Sequence, residues 1–202
     1  MGQNKILLWG VVDAPAAPQW MIDESMELIA YEQHTEICMN SDFGDEYKYR
    51  DLFKDGKIYK TAFNNCRYLS QLAYKWVLEN ISKNAKDSRI SFTLPNLERC
   101  GPHVDSTRDY TLMYVLKPGG QGHETVFYRE KEHDDLIRPL RYTVDHYDSV
   151  ERIGGIQIPI QTWVLLNSRV LHSVENIGEG RVSIQCAFDD ISGLEFSQAD
   201  WA

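Results

Sequence analysis

From residue 89 the period of the apolar residues changes to two. Ile90, Phe92 and Leu94 alternate with polar neighbours, and "DYTLMYVLK", "ETVFY", "TWVLLN" and "RVSIQCAF" follow as further strand candidates. A period of two sends successive side chains to opposite faces of an extended chain, so these runs read as strands. Several strands separated by Gly and Pro turns predict a mainly β domain, a sandwich or jelly roll.

The N-terminal half carries a different period. After a first strand at "KILLWGVV", Pro15 and Pro18 punctuate a helix start, and Ile22, Met26, Ile29 and Ala30 share one helical face. A second helix is expected from the stripe Leu69, Leu72, Ala73, Trp76 and Val77, with Asn64 or Asn65 as its N-cap and polar residues from Ser82 closing it. Short strands are expected at "TEICM" and "GKIYKTAF". The two helices are expected to cover one sheet. The whole chain, 1–202, is read as a single domain: a helical and β cover over 1–88, a jelly-roll core over 89–190 and a tail over 191–202.

One stretch breaks the strand rhythm. Residues 129–155, "REKEHDDLIRPLRYTVDHYDSVERIGG", are rich in charge and too long for a hairpin connection. A functional lid or a mobile surface excursion is expected there.

Composition narrows the function. A formal net charge of -9 argues against a general binder of phosphate backbones, whose affinity comes from clustered Lys and Arg. Cys38, Cys66, Cys100 and Cys186 are scattered with no C-x-x-C spacing, which suggests reduced thiols and a cytoplasmic protein. The apolar start is followed at once by Asp13, Ile6 stands where a myristoylation pattern needs Ser or Thr, and no apolar run is long enough to span a bilayer. A membrane partner is therefore not expected.

The chemistry lies in "GPHVDSTRDY". His103 and Asp105, two apart in an extended segment, project to the same side and can converge on one point. His172, at the end of another apolar strand, offers a third ligand. Two imidazoles and one carboxylate on one face leave positions open on non-heme Fe(II). In the last core strand Val182, Ile184, Cys186 and Phe188 fall on one face and Arg181, Ser183 and Gln185 on the other. Arg181 supplies a planar fork for a carboxylate and Ser183 a hydroxyl beside it, on the face expected to meet His172 across a hairpin.

These residues resemble the Fe(II)- and 2-oxoglutarate-dependent oxygenases, particularly the prolyl-hydroxylase-like branch. The resemblance covers residues 95–190, about half the chain. It rests on His103-Val104-Asp105, then His172, then Arg181-Val182-Ser183, with an echo of the family's G-G-E-T-x-F run at Gly122-His123-Glu124-Thr125-Val126-Phe127. It implies a double-stranded β-helix, with Fe(II) ligated by His103, Asp105 and His172 and 2-oxoglutarate held by Arg181 with Ser183. O2 would be the oxidant, ascorbate an accessory reductant, and a small molecule or a peptide the substrate. His123 departs from the family's second glycine, and the 129–155 segment has no counterpart in it.

Other readings stand beside this one. His103 can be a turn histidine after Gly101-Pro102, and Asp105 an Asx-turn residue. A rival H-x-D at His146-Tyr147-Asp148 ends only 24 positions before His172, in a charged setting. His34, His123, His133 and His146 read as surface or turn residues, and Tyr110, Thr111, Tyr114 and Trp163 as core or pocket wall. Different functions also fit: a cupin-like metal protein that oxidises nothing, or a metal-free jelly-roll binding module.

Overall fold

The alternating runs become strands of two antiparallel sheets. The structure is a computed structural model that describes residues 5–35, 65–69, 71–93, 97–99, 101–144 and 146–202. Its strands are β1 (Leu7–Val12), β2 (Asn65–Leu69), β3 (Asp87–Thr93), β4 (Leu97–Arg99), β5 (Tyr110–Pro118), β6 (Glu124–Glu130), β7 (Val150–Ile156), β8 (Trp163–Asn167), β9 (Leu171–Ile177), β10 (Arg181–Phe188) and β11 (Phe196–Trp201). The helices are α1 (Gln19–Thr35) and α2 (Gln71–Asn80).

The larger sheet has seven strands in the order β11-β1-β8-β5-β10-β3-β2, and the smaller has four in the order β4-β9-β6-β7. From β3 to β10 the chain passes back and forth between them: β3, β5, β8 and β10 belong to the larger sheet, β4, β6, β7 and β9 to the smaller.

The parity of each strand sorts its side chains into two cores. Leu112, Tyr114, Trp163, Leu165, Ile184, Cys186 and Phe188 leave one face of the larger sheet and pack on Ala17, Met21, Ala73 and Val77. The neighbouring positions Met113, Val115, Val164 and Leu166 leave the other face and meet Phe127 and Ile156 of the smaller sheet. With helices on one side and a second sheet on the other, β8 is buried at every position. Each large apolar side chain fully removed from water there contributes roughly 1.5–3 kcal/mol.

The helices cover the larger sheet as expected, and Ile22, Ala73, Trp76 and Val77 of the expected stripes pack into its core, but Met26 and Leu72 do not. Among residues 19–27 of α1, Met21 and Ser25, one turn apart, are buried, while Met26 is 42% exposed. Ser25 lies on the buried face because its hydroxyl donates back to the Met21 carbonyl at 2.7 Å, which satisfies it without a tertiary partner. In α2 Ala73 and Val77 are buried, whereas Leu72 is 62% exposed. Residues 65–69 form β2 instead of opening this helix, with Cys66 opposite Phe92 and Tyr68 opposite Ile90 across β3. Asn65 is therefore no N-cap and Leu69 no part of the helical stripe. The strands expected at "TEICM" and "GKIYKTAF" lie outside the described residues, apart from Thr35 in α1.

The tail is also more ordered than expected: Phe196–Trp201 is β11 and pairs with β1, Gly10 opposite Ala199 and Val12 opposite Phe196. As an edge strand with a mostly open face it needs no alternating apolar pattern, and its backbone bonds to β1 define it. No helix among the described residues is long and apolar enough to cross a membrane.

Candidate metal centre

The site forms where the two sheets' connections meet at one end. After β4 the chain continues alongside the start of β9, and His103 and His172 face each other as an antiparallel pair. The His103 amide donates to the His172 carbonyl at 3.0 Å and the His172 amide to the His103 carbonyl at 2.9 Å. Directly opposed residues in such a pair send their side chains to the same side. The two rings lie 4.6 Å apart between centroids, tilted by 48°. Asp105, two residues on from His103, joins them, with its amide donating to the Ser168 carbonyl at 3.2 Å. One ligand atom from each of His103, Asp105 and His172 lies within 4.8 Å of the others.

The imidazoles are oriented for ligation. His103 Nδ1 lies 2.9 Å from the Gly101 carbonyl oxygen, and His172 Nδ1 lies 2.9 Å from that of Val170. A carbonyl oxygen only accepts, so each Nδ1 carries the proton and each Nε2 keeps its lone pair. Burial above all lowers the His172 pKa to about 4, and a second charge beside His103 is disfavoured too, so the ring is neutral near pH 7. Phe127, opposite His172 on β6, places its ring 6.3 Å away and walls the site on the apolar side.

The carboxylate is anchored from behind. Arg108 Nε donates to Asp105 Oδ2 at 2.8 Å, and the Thr111 hydroxyl donates to the same oxygen at 3.1 Å. Thr111 Oγ1 also accepts from Arg108 Nε at 2.6 Å and lies 2.7 Å from Ser168 Oγ. Arg108, Thr111 and Ser168 are all buried. Fixing one oxygen sets the plane of the carboxylate and directs the other.

Arg181 and Ser183 are buried on β10 and share one strand face with Gln185, opposite to the face that joins the helix-side core. The route differs from the expected hairpin: β9 pairs with β4 and β6, and β10 with β3 and β5, so His172 and Arg181 reside in different sheets. Gly119, in the turn after β5, has a φ of +94° and would place a Cβ 3.0 Å from Arg181 Cβ. A glycine there lets the turn close against the arginine stem.

His123, His133 and His146 lie elsewhere. His133 and His146 are exposed, as is Asp148, so the rival H-x-D is a surface turn. His123 is half-buried and its Nδ1 lies 3.1 Å from the Gly120 carbonyl. It is not among the residues with positive φ, so this position does not call for a glycine. Tyr114 and Trp163 belong to the helix-side core, with Trp163 stacked on Trp76 at 6.2 Å. Thr111 instead serves the candidate site. Sequence reasoning missed Arg108 and Ser168; the one signal for Arg108 was its place three residues after Asp105.

No protein-family model matches the sequence, and no curated protein matches it. Among solved structures, the chain is similar to AviO1 from Streptomyces viridochromogenes Tue57, at 15% identity over 96% of this chain and 93% of that one, with a TM-score of 0.41. It is similar to a prolyl hydroxylase from Trichoplax adhaerens, in complex with a hypoxia inducible factor peptide fragment, at 14% identity over 86% and 94%, with a TM-score of 0.40. A 2OG-Fe(II) oxygenase family oxidoreductase from Burkholderia pseudomallei matches at 13% identity and a TM-score of 0.34, over 52% of this chain and only 43% of that one. The structures it resembles include 2-oxoglutarate-Fe(II) oxygenases.

Proposed function

We propose that the chain is an Fe(II)- and 2-oxoglutarate-dependent oxygenase, a hydroxylase of a small molecule or a peptide residue. The observation that carries the reading is the mutual pairing of His103 and His172, both with Nδ1 engaged by a backbone carbonyl and with Asp105 on the same side. That donor set, two imidazole nitrogens and one carboxylate oxygen, fits an iron ion that keeps open positions. Bound Fe(II), with 2-oxoglutarate and O2, would supply the oxidising chemistry, turning a C-H bond into C-OH as 2-oxoglutarate becomes succinate and CO2.

The protein's own part is binding and orientation. His103, Asp105 and His172 would hold the metal, and the bonds to Gly101, Val170, Arg108 and Thr111 keep the three side chains aimed together. Arg181, with Ser183 beside it, would hold the distal carboxylate of 2-oxoglutarate, a pairing made strong by burial of the guanidinium. Phe127 would give the site an apolar side next to His172. The alternation of β3–β10 between the sheets supports a double-stranded β-helix for the core.

The test is turnover of 2-oxoglutarate with Fe(II) and ascorbate across a panel of metabolites and peptides, reading succinate. Substrate-dependent succinate supports the reading. A protein that binds metal yet forms no succinate with any acid on the panel would instead be a non-oxidising metal protein.

A further inference from the structure

Both ligand-bearing segments are fastened to one loop. Residues 131–149, between β6 and β7, form an isolated bridge from Ile137 to Val170 and another from Thr143 to His103. At the first, the Arg138 amide donates to the Arg169 carbonyl at 2.9 Å, and Arg169 Nε donates back to the Arg138 carbonyl at 2.7 Å. At the second, the Val104 amide donates to the Tyr142 carbonyl at 2.8 Å, the Arg141 amide to the Asp105 carbonyl at 3.1 Å, and the Val144 amide to the Pro102 carbonyl at 3.0 Å. His103 therefore has a backbone neighbour on each side, His172 on one and Thr143 on the other.

The loop is closed on itself by a buried ion pair. Arg138 Nε donates to Glu130 Oε2 at 2.7 Å, and the Tyr142 hydroxyl donates to Glu130 Oε1 at 2.8 Å. Both oxygens of the carboxylate are thus occupied, and the side chains of Arg138 and Glu130 are each only 11% exposed. The guanidinium carbon stands 5.9 Å from the centre of the Tyr142 ring. Tyr142, Val144 and Tyr147 pack on Val104, Val126, Tyr128, Val150 and Leu171, so the loop also covers the smaller sheet's far face. Arg141 is drawn into the left-handed region at a φ of 66°, a conformation a non-glycine residue adopts only under external constraint.

We propose that Glu130, Arg138 and Tyr142 are positioning residues for the metal ligands. By locking the loop they hold residues 141–144 as a third strand beside His103 and pin Val170, two residues before His172, which sets the direction of both imidazoles. The segment expected to be a lid or a mobile excursion is instead a strap whose release would loosen the site. This inference rests on the metal reading of His103, Asp105 and His172.

The test compares wild type with Tyr142→Phe, with the double variant Glu130→Gln and Arg138→Met, and with Arg138→Lys. Mn(II) affinity is measured by calorimetry at temperatures where circular dichroism shows each protein folded. Amide exchange is followed in the EDTA-treated proteins. The double variant is expected to bind Mn(II) roughly 10- to 100-fold more weakly, the range for loss of partners that orient metal ligands. Tyr142→Phe should lose less, and Arg138→Lys should recover part of the double variant's loss. Exchange should quicken in peptides covering 102–105 and 138–144 while the peptide covering 182–188 stays protected. A purely structural role would lower the melting temperature and leave Mn(II) affinity alone, and folded variants that bind Mn(II) as wild type does overturn the proposal. A wild-type protein that binds no Mn(II) removes the site itself and this role with it, an outcome distinct from equal binding.

Discussion

Arg108 and Asp105 form a buried ion pair three residues apart, Nε to Oδ2 at 2.8 Å, with side chains 5% and 14% exposed. Arg108→Met removes the guanidinium bonded to this part-buried carboxylate. It is expected to destabilise the metal-free protein by about 3–5 kcal/mol, the cost of breaking such a pair from one side. Thr111→Val, which removes a smaller share of the same network, should cost about 1–3 kcal/mol. Urea unfolding in EDTA reads both values, and a loss under 1 kcal/mol for Arg108→Met would mean that the carboxylate is held by other groups.

Arg181 tests the cosubstrate half of the proposed function. Truncation of a buried guanidinium that pairs with a carboxylate costs on the order of 2–5 kcal/mol, or roughly 30- to several-thousand-fold in affinity. Arg181→Ala should raise the apparent constant for 2-oxoglutarate by that range with Mn(II) binding nearly unchanged. Arg181→Lys keeps the charge but not the fork and should fall between the two. Wild-type affinity for 2-oxoglutarate in the Ala variant would place the cosubstrate elsewhere.

The helix-side core gives a prediction independent of any ligand. Met21 is fully buried and Met26 is 42% exposed, although the sequence pattern selects Met26. Met21→Ala is expected to cost about 2–5 kcal/mol and Met26→Ala less than about 0.5 kcal/mol, as thermal or urea unfolding would show. The reverse order would mean that α1 turns its other face to the sheet.

The partial miss in α1 illustrates what could be read from residues and what could not. Strands β5, β6, β8 and β10 were legible as short apolar or alternating runs bounded by turns, and the faces of β10 follow from its parity. Helix α1 misled because its buried face includes Ser25, whose hydroxyl is satisfied by its own helix and so carries no apolar signal. The edge strands β2 and β11 are defined by backbone pairing with β3 and β1, a relationship no local pattern encodes. At the site, His103 and Asp105 were legible as an i, i+2 pair. Their opposition to His172 was not, because it depends on which sheet each strand joins. Arg138 lay in a segment read only as rich in charge, and the fold brings Glu130 to it.

Cys186 supplies a pH prediction. It is a free, fully buried thiol, and burial above all pushes its pKa up from 9.0 to about 12. Between those values the unfolded chain releases a proton that the folded chain keeps, so the contribution to stability is lost as pH rises through that window. At pH 8 the native thiol is protonated and enclosed. Iodoacetamide should therefore spare Cys186 in the folded protein and modify it in urea, as peptide mass spectrometry would record; rapid native labelling would contradict the burial.

The most direct measurement of the central claim is a calorimetric titration of the EDTA-stripped protein with Mn(II), repeated on His103→Ala and His172→Ala. The account predicts one equivalent bound by wild type and a loss of at least about 100-fold in affinity in each variant, since two ligands from three no longer define a closed facial set. Equal binding by wild type and both variants, or no binding by wild type, would contradict it.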